Sequence, residues 1–318
     1  MPKKGIEMVT PAFEPTQEQL DKVAQIKAPQ QKYHLPKDYL SHSQIDMYLR
    51  CARQYEFRYV KDEKDPPGIA MVFGSGAHKA VEFTHHHIVD HDKPAPTEQV
   101  TEAFSDAFEK RAEAIPTKAW EDEKADRGSL KDAGVRLVQL YNNKVAPSVK
   151  PQVKQVNGES VRGIEKRFMV NIAGVDMLGF IDLIDVNDPV GVSDLEQKIL
   201  HKQGKIVPDA MRTAVVDFKT KTKSLSQGDV DGSFQLTLYS YVEQIPIVRF
   251  DQLLNQKVPK VKRVHSGRTV QDHKWMTEII TSVASAISAG IFPPCSPTAW
   301  VCGPKWCGYY HQCRGKKR

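Results

Sequence analysis

Near Gly163 the hydrophobic pattern of this chain changes period, and that change limits the fold more than any other feature. Upstream, apolar residues recur at helical spacing over 73–92, 97–115 and 129–148. Downstream, Ile164 to Ile172 and Met177 to Val186 alternate around an Ala173-Gly174 turn, which predicts two strands with one buried face. Ala214-Val215-Val216-Asp217-Phe218 reads as a short strand ending in charge, and Phe234 to Val242 and about Asp272 to Ala289 read as helices. Strands flanked by helices on both sides predict an α/β layered domain.

The remaining segments are less regular. Residues 1 to about 37, rich in Pro, Lys and Gln, predict a loosely ordered arm. Ser41 and Ser43 offer N-caps for one helix carrying Ile45, Tyr48, Leu49, Ala52, Tyr55 and Tyr59, followed by a turn at Asp65-Pro66-Pro67-Gly68. Residues 187–212 are polar and turn-rich, an insertion or long hairpin. No run of about 18 apolar residues exists, so a membrane span is not expected. The Met-Pro-Lys-Lys-Gly start has no apolar leader, and a cytoplasmic protein is expected.

The net charge is +6 and the isoelectric point about 8.9, a balance that favours polyanionic partners without specifying one. Lys257, Lys260, Lys262, Arg263 and Arg268 fall together, and the chain ends Arg314-Gly-Lys316-Lys317-Arg318. Both stretches read as a solvated loop and tail.

Four short signals carry chemistry. They are Gly74-Ser75-Gly76-Ala77-His78 at a helix start, Gly179-Phe180-Ile181-Asp182, Val216-Asp217-Phe218-Lys219, and Gln235-x-x-x-Tyr239. A carboxylate and a lysine two apart on a strand share a face. Magnesium or manganese needs only one or two carboxylates when substrate phosphates complete its shell. A lysine beside them can orient water and offset phosphoryl charge. Asp182, at the end of the preceding strand, can supply the second carboxylate. Gln235 and Tyr239 lie one helical turn apart and share a face. His85, His86, His87 and His91 splay to different faces of their helix and read as surface residues.

Taken in order, Ser43-x-Ile45-x-x-Tyr48-x-x-Cys51-x-x-x-Tyr55, Gly74-x-x-x-His78, Gly179-x-x-Asp182, Asp217-x-Lys219 and Gln235-x-x-x-Tyr239 resemble the RecB/AddB-like branch of the PD-(D/E)XK nucleases. That branch includes CRISPR-adaptation and phage recombination exonucleases. The match runs from about Ser41 to Cys313. The resemblance implies a restriction-endonuclease-like α/β core with a central mixed sheet, an inserted helical segment, and an iron–sulfur subdomain joining both chain ends. It implies one nuclease domain over 38–318: core about 160–245, helical segment about 73–150, cluster-binding segments 41–60 and 293–318. His78, Asp182, Asp217 and the Phe218 carbonyl would hold Mg2+ or Mn2+. Asp182, Asp217 and Lys219 would be catalytic, and Gln235 and Tyr239 would contact DNA. Many relatives have Glu where this chain has Asp217.

The five cysteines are Cys51, Cys295, Cys302, Cys307 and Cys313, four of them in the last 24 residues. Clustered cysteines in a chain without an export signal suggest metal binding before disulfides. The resemblance implies a [4Fe-4S] cluster on Cys51, Cys302, Cys307 and Cys313, although the C-x4-C-x5-C spacing departs from the C-x2-C-x5-C of relatives. The role of Cys295 stays open. Spacing alone also permits structural Zn2+ on Cys295, Cys302, Cys307 and Cys313.

The expected activity is exonucleolytic hydrolysis of single-stranded DNA or duplex ends, in recombination, repair or phage- or CRISPR-related DNA processing. A non-catalytic DNA-binding module and a zinc-stapled adaptor subunit of a recombination complex are the alternatives. No G-x-x-x-x-G-K-[ST] motif is present, so any unwinding falls to a partner: a helicase, with an annealing protein or adaptation complex as further candidates.

Overall fold

The structure is a computed structural model, and it describes residues 33–64, 68–188 and 212–315. Most of the N-terminal arm, the Asp65-Pro66-Pro67 turn, nearly all of the polar 187–212 segment and the last three residues lie outside the described residues.

Helix α1 (His42–Arg50) starts where Ser41 accepts the Gln44 amide at 3.3 Å. The sequence pattern predicts one helix through Tyr59, but the structure breaks it at Cys51, whose backbone is extended at φ −163°, ψ 102°. The chain restarts as α2 (Ala52–Tyr55) and runs into a π-turn (Glu56–Val60). The break lets the Cys51 sulfur face the C-terminal segment, where it accepts the Cys295 N–H at 3.4 Å. Four helices follow: α3 (Ile69–His91), α4 (Thr97–Ala112), α5 (Thr117–Asp122) and α6 (Arg127–Lys144).

Strands β1 (Val153–Val156) and β2 (Glu159–Arg162) form a separate hairpin. Its turn is Asn157-Gly158, both at positive φ, a signal for this hairpin that the sequence carries. The main sheet comprises β3 (Ile164–Ile172), β4 (Val175–Asp185), β5 (Ala214–Lys221), β6 (Ile247–Leu254) and β7 (Lys260–Gly267), in that spatial order. Only the β5–β6 pair is parallel, so the sheet is mixed. Helices α7 (Gln227–Asp231) and α8 (Phe234–Glu243) connect β5 to β6, and α9 (Val270–Ser288) and the short α10 (Tyr310–Arg314) follow β7.

Two apolar layers sandwich the sheet. On one side α3, α4 and α6 bring Phe73, Val81, Phe104 and Leu137 to Val216 and Phe218. Gly76 and Gly134 clasp Phe104 so closely that a Cβ at either position would sit 2.9 or 1.9 Å from its ring. On the other side α1, α8 and α9 bring Ile45, Leu236, Tyr239 and Ile280 to Ile181, Val215 and Phe250.

Two strands escape the sequence reading, β6 because polar residues are buried among its apolar ones and β7 because Val264 alone is buried along it. In β6, Arg249, Asp251 and Gln252 are all fully buried. Arg249 pairs with Asp251 at 2.6 Å, Asp185 at 3.2 Å and Asp188, tying the end of β4 to β6. The Lys257–Arg268 stretch, expected as a solvated loop, is largely β7, paired along its length with β6. The histidine run also needs correcting. His85 is fully buried, its Nε2 2.8 Å from the Tyr141 hydroxyl and its ring 5.5 Å from Phe218. No helix among the described residues is long and apolar enough to cross a membrane.

Candidate active site

The site lies where the sheet forks. β4 pairs with β5 only at Leu183↔Val216, Ile184↔Val215 and Asp185↔Ala214. Past that point β4 continues against β3, and β5 against β6. The next residues on the parting strands are Asp182 and Asp217. Splayed strands leave backbone donors unpaired, and Asp182 meets that need: its Oδ2 accepts the Phe218 N–H at 2.8 Å.

His78 reaches the same point from α3. Its Nε2 lies 2.9 Å from the Phe218 carbonyl oxygen, and its Nδ1 lies 3.5 Å from Asp182 Oδ2. A third group joins them that the sequence reading does not include. Glu165, on β3, sits between the Ile164↔Leu183 and Lys166↔Ile181 pairs, opposite Asp182. Its φ of +45° is left-handed, a conformation that costs a non-glycine residue about 1–3 kcal/mol. Ligand atoms of His78, Glu165 and Asp182 all lie within 4.8 Å of one another. Burial and the neighbouring Asp182 carboxylate push the Glu165 carboxyl up to about 7. Burial and Asp217 likewise hold Asp182 well above the usual carboxylate range. Only its carboxylate in an unusual strand position marks Glu165, and its strained backbone is invisible in sequence.

Asp217 faces the other residues of the expected set. Its Oδ1 accepts the Gln235 side-chain amide at 2.5 Å, and Lys219 Nζ lies 2.7 Å from its Oδ2. Lys219 also donates to Gln235 Oε1 at 2.7 Å, and Gln235 Nε2 donates to the Tyr239 hydroxyl at 2.9 Å. Gln235 therefore holds Asp217, Lys219 and Tyr239 together. Tyr239 is only 2% exposed, with its ring edge-on to Phe168 and His42, so its hydroxyl and not its ring reaches the site. His42 is a second residue outside the expected set. Burial lowers its pKa, with Lys219 acting in the same direction and Asp217 and Asp46 against it.

These donors fit a hard divalent cation. Two carboxylates and an imidazole converge, the Phe218 carbonyl lies beside them, and the buried Asp217 Oδ2 accepts no well-angled hydrogen bond. The carboxyls are raised by burial and by one another, and Lys219 and His78 offset this only in part. A cleft of about 980 Å³ between α3 and α4 opens onto His78, Glu165 and Asp182, with Lys79, Lys110 and Arg111 on its walls.

The cysteines form a second centre far along the chain. All five line one small pocket. Burial alone would raise the Cys51 thiol, but N–H groups of Cys295, Gln54 and Arg53 on its sulfur hold it below the ordinary value. Burial and the Cys51 and Cys302 sulfurs push Cys295 up to about 12. The pocket is closed by contacts between distant segments. Phe57 stacks on Tyr309 at 5.3 Å, the Tyr309 hydroxyl donates to the Glu63 carbonyl, and the Tyr48 hydroxyl to that of Ile291.

The sequence comparisons bear on the fold that carries this fork. Residues 39–199, just over half of the chain, match the PD-(D/E)XK nuclease superfamily. The chain belongs to that superfamily. The matched span includes His78, Glu165 and Asp182, while Asp217 and Lys219 follow it. A crystal structure of a candidate exonuclease from Eubacterium rectale superposes on this nuclease-family chain with a TM-score of 0.51 at 13% identity, covering 89% of this chain and 90% of that one. That is a likeness of fold. The solved structure of SSO0001 aligns with a TM-score of 0.37 at 10% identity, over 89% of this chain and 88% of that one, and carries no argument. No curated protein matches this superfamily member in sequence.

Proposed function

We propose that this protein is a Mg2+- or Mn2+-dependent deoxyribonuclease of the RecB/AddB-like branch, acting as an exonuclease on single-stranded DNA or duplex ends. One observation carries the reading: His78, Glu165 and Asp182 converge beside the linked Asp217, Lys219 and Gln235, at the mouth of a cleft, in a chain of this superfamily. His78, Asp182, Asp217 and the Phe218 carbonyl, with Glu165 added to that set, would hold a divalent cation, which would supply charge neutralisation for the phosphoryl group and a more acidic water. Lys219, held by Asp217 and Gln235, keeps a third ammonium N–H to donate to a phosphoryl oxygen or to the attacking water. Gln235 fixes where that ammonium sits, and the Tyr239 hydroxyl fixes Gln235. This exceeds the needs of a module that only binds DNA.

The cysteine pocket is read as a [4Fe-4S] site on Cys51, Cys302, Cys307 and Cys313. Support comes from the pocket, which Cys51 lines together with the three C-terminal cysteines of that set. Such a cluster would fasten the N-terminal helices to the C-terminal segment and need do no redox chemistry. A reduced, DNA-containing compartment such as the cytoplasm suits both centres, with a helicase or recombination partner supplying unwound DNA.

The test is anaerobic purification followed by digestion of end-labelled single- and double-stranded DNA. Cleavage should require Mg2+ or Mn2+, stop with EDTA, and release short products from the ends. A metal-loaded protein that leaves every such substrate intact sinks the proposal.

A further inference from the structure

The motif Gly179-Phe180-Ile181-Asp182 contains a residue the catalytic set does not use. Phe180 is 48% exposed, an unusual state for a phenylalanine in the middle of a strand. The β3–β4 ribbon explains where it points. Phe168, Ile172, Val175, Met177 and Ile181 bury one face against α1, α8 and α9. The alternate residues, among them Arg167, Met169 and Phe180, stay exposed. Gly179 is needed for this arrangement, because the Phe168 ring fills the space a Cβ would take, at 2.4 Å.

Register then sets an exact neighbour. Arg167 and Phe180 are direct partners across β3 and β4. Each lies two residues from a member of the candidate metal group, Arg167 from Glu165 and Phe180 from Asp182. At a strand's rise that is about 7 Å, the reach of one extended nucleotide. No ion pair of Arg167 and no ring partner of Phe180 occurs among the described residues.

We propose that Arg167 and Phe180 form a nucleotide subsite for single-stranded DNA beside the metal group, with Phe180 stacking on a base and Arg167 pairing with the adjoining phosphate. The assignment rests on the nuclease reading. Single-stranded DNA fits because every base offers a flat face to an exposed ring, whatever its identity. Guanidinium groups pair with phosphate through two parallel hydrogen bonds. Continuity with the carboxylates distinguishes this patch from a general protein-docking face: a strand whose phosphate sits at the metal group has its next nucleotide over this pair.

The experiment uses the full chain carrying Lys219→Ala, with Mg2+, and labelled single-stranded oligonucleotides, either intact or with one abasic position moved along the strand. Adding Phe180→Ala should weaken binding of intact DNA by about five- to a hundredfold. At one abasic position it should cost nothing further, since no base is left to stack. Phe180→Trp should restore affinity. Arg167→Ala should lower the salt dependence of binding by about 0.7 in the log–log slope. Thermal melting of each variant checks that the half-exposed positions leave the fold intact. Unchanged affinity in both variants, with wild-type cleavage intact, overturns the subsite alone. So does a change in self-association without a change in DNA affinity. If the parent binds no DNA and the wild type cuts none, the nuclease reading falls with it.

Discussion

The carboxylate fork and the cysteine pocket each gather side chains from distant parts of the chain, yet they are built in opposite ways. At the fork, strand pairing fixes Glu165 opposite Asp182, and α3, seated on its apolar layer, fixes His78. Donor atoms converge within 4.8 Å before any ion is considered. In the pocket, Cys51 sits at a helix break and Cys313 in a five-residue helix, while Cys295, Cys302 and Cys307 lie outside any helix or strand. A rigid sheet pre-organises the first centre; on the iron–sulfur reading proposed above, the second would draw much of its order from the cluster. The fork should thus hold its shape when stripped of ligand, and the pocket should not.

Breaking the fork should cost the most activity and the least structure. Lys219→Ala should slow DNA cleavage by about 10²–10³-fold, as for loss of one transition-state donor, and Asp217→Ala should reduce it at least as far. Both should melt near the wild-type temperature and keep most of their DNA affinity, which rests on many phosphate contacts. A Lys219→Ala enzyme that cuts at the wild-type rate removes the fork from the mechanism.

The pocket should show the reverse pattern. Cys51→Ala and Cys307→Ala should lose iron and the broad visible absorption together, and Tm should fall by about 10 °C or more, because metal binding contributes directly to folding. Cys295→Ala should keep its iron, since the proposed ligand set leaves its sulfur out, close as that sulfur lies to Cys51 and Cys302. Iron retained at full stoichiometry by Cys51→Ala, or lost by Cys295→Ala, reassigns the ligand set.

The smallest effect tests how dry the layer behind the fork is. Burial and the Arg249 charge push His85 down to about 3, against an ordinary 6.5. Below 6.5 the unfolded chain binds a proton that the folded chain does not, so stability falls with acidification by about 1.4 kcal/mol per pH unit until pH 3 is approached. His85→Gln removes the titration and should flatten the loss between pH 6.5 and 4.5 by that slope. Equal slopes in the two proteins would mean that water reaches the imidazole.

How much of this was legible in the sequence differs between the same two regions. The alternation of β3 and β4, the apolar run of β5 and the capped helices α8 and α9 announce themselves, because their burial follows simple periods. β6 does not, since Arg249, Asp251 and Gln252 occupy positions where an apolar residue is expected. His78, Asp182, Asp217, Lys219, Gln235 and Tyr239 stand out by type and order, and the fold brings them to one place. Glu165 and His42 do not, because only backbone geometry and three-dimensional neighbours distinguish them from ordinary surface residues. The break at Cys51 is likewise absent from the helical period, which continues unbroken through it.

The hydrogen bond from the Phe218 amide to Asp182 Oδ2 makes one side chain stand in for a missing strand. The backbone of β5 is therefore wired to the chemical state of a carboxylate on β4. Whatever changes the electron density on that oxygen, a proton or a cation, must alter the resonance of a single amide 2.8 Å away. A nitrogen-15 label at Phe218 would turn the sheet itself into a gauge of what the fork is holding, readable with no DNA present.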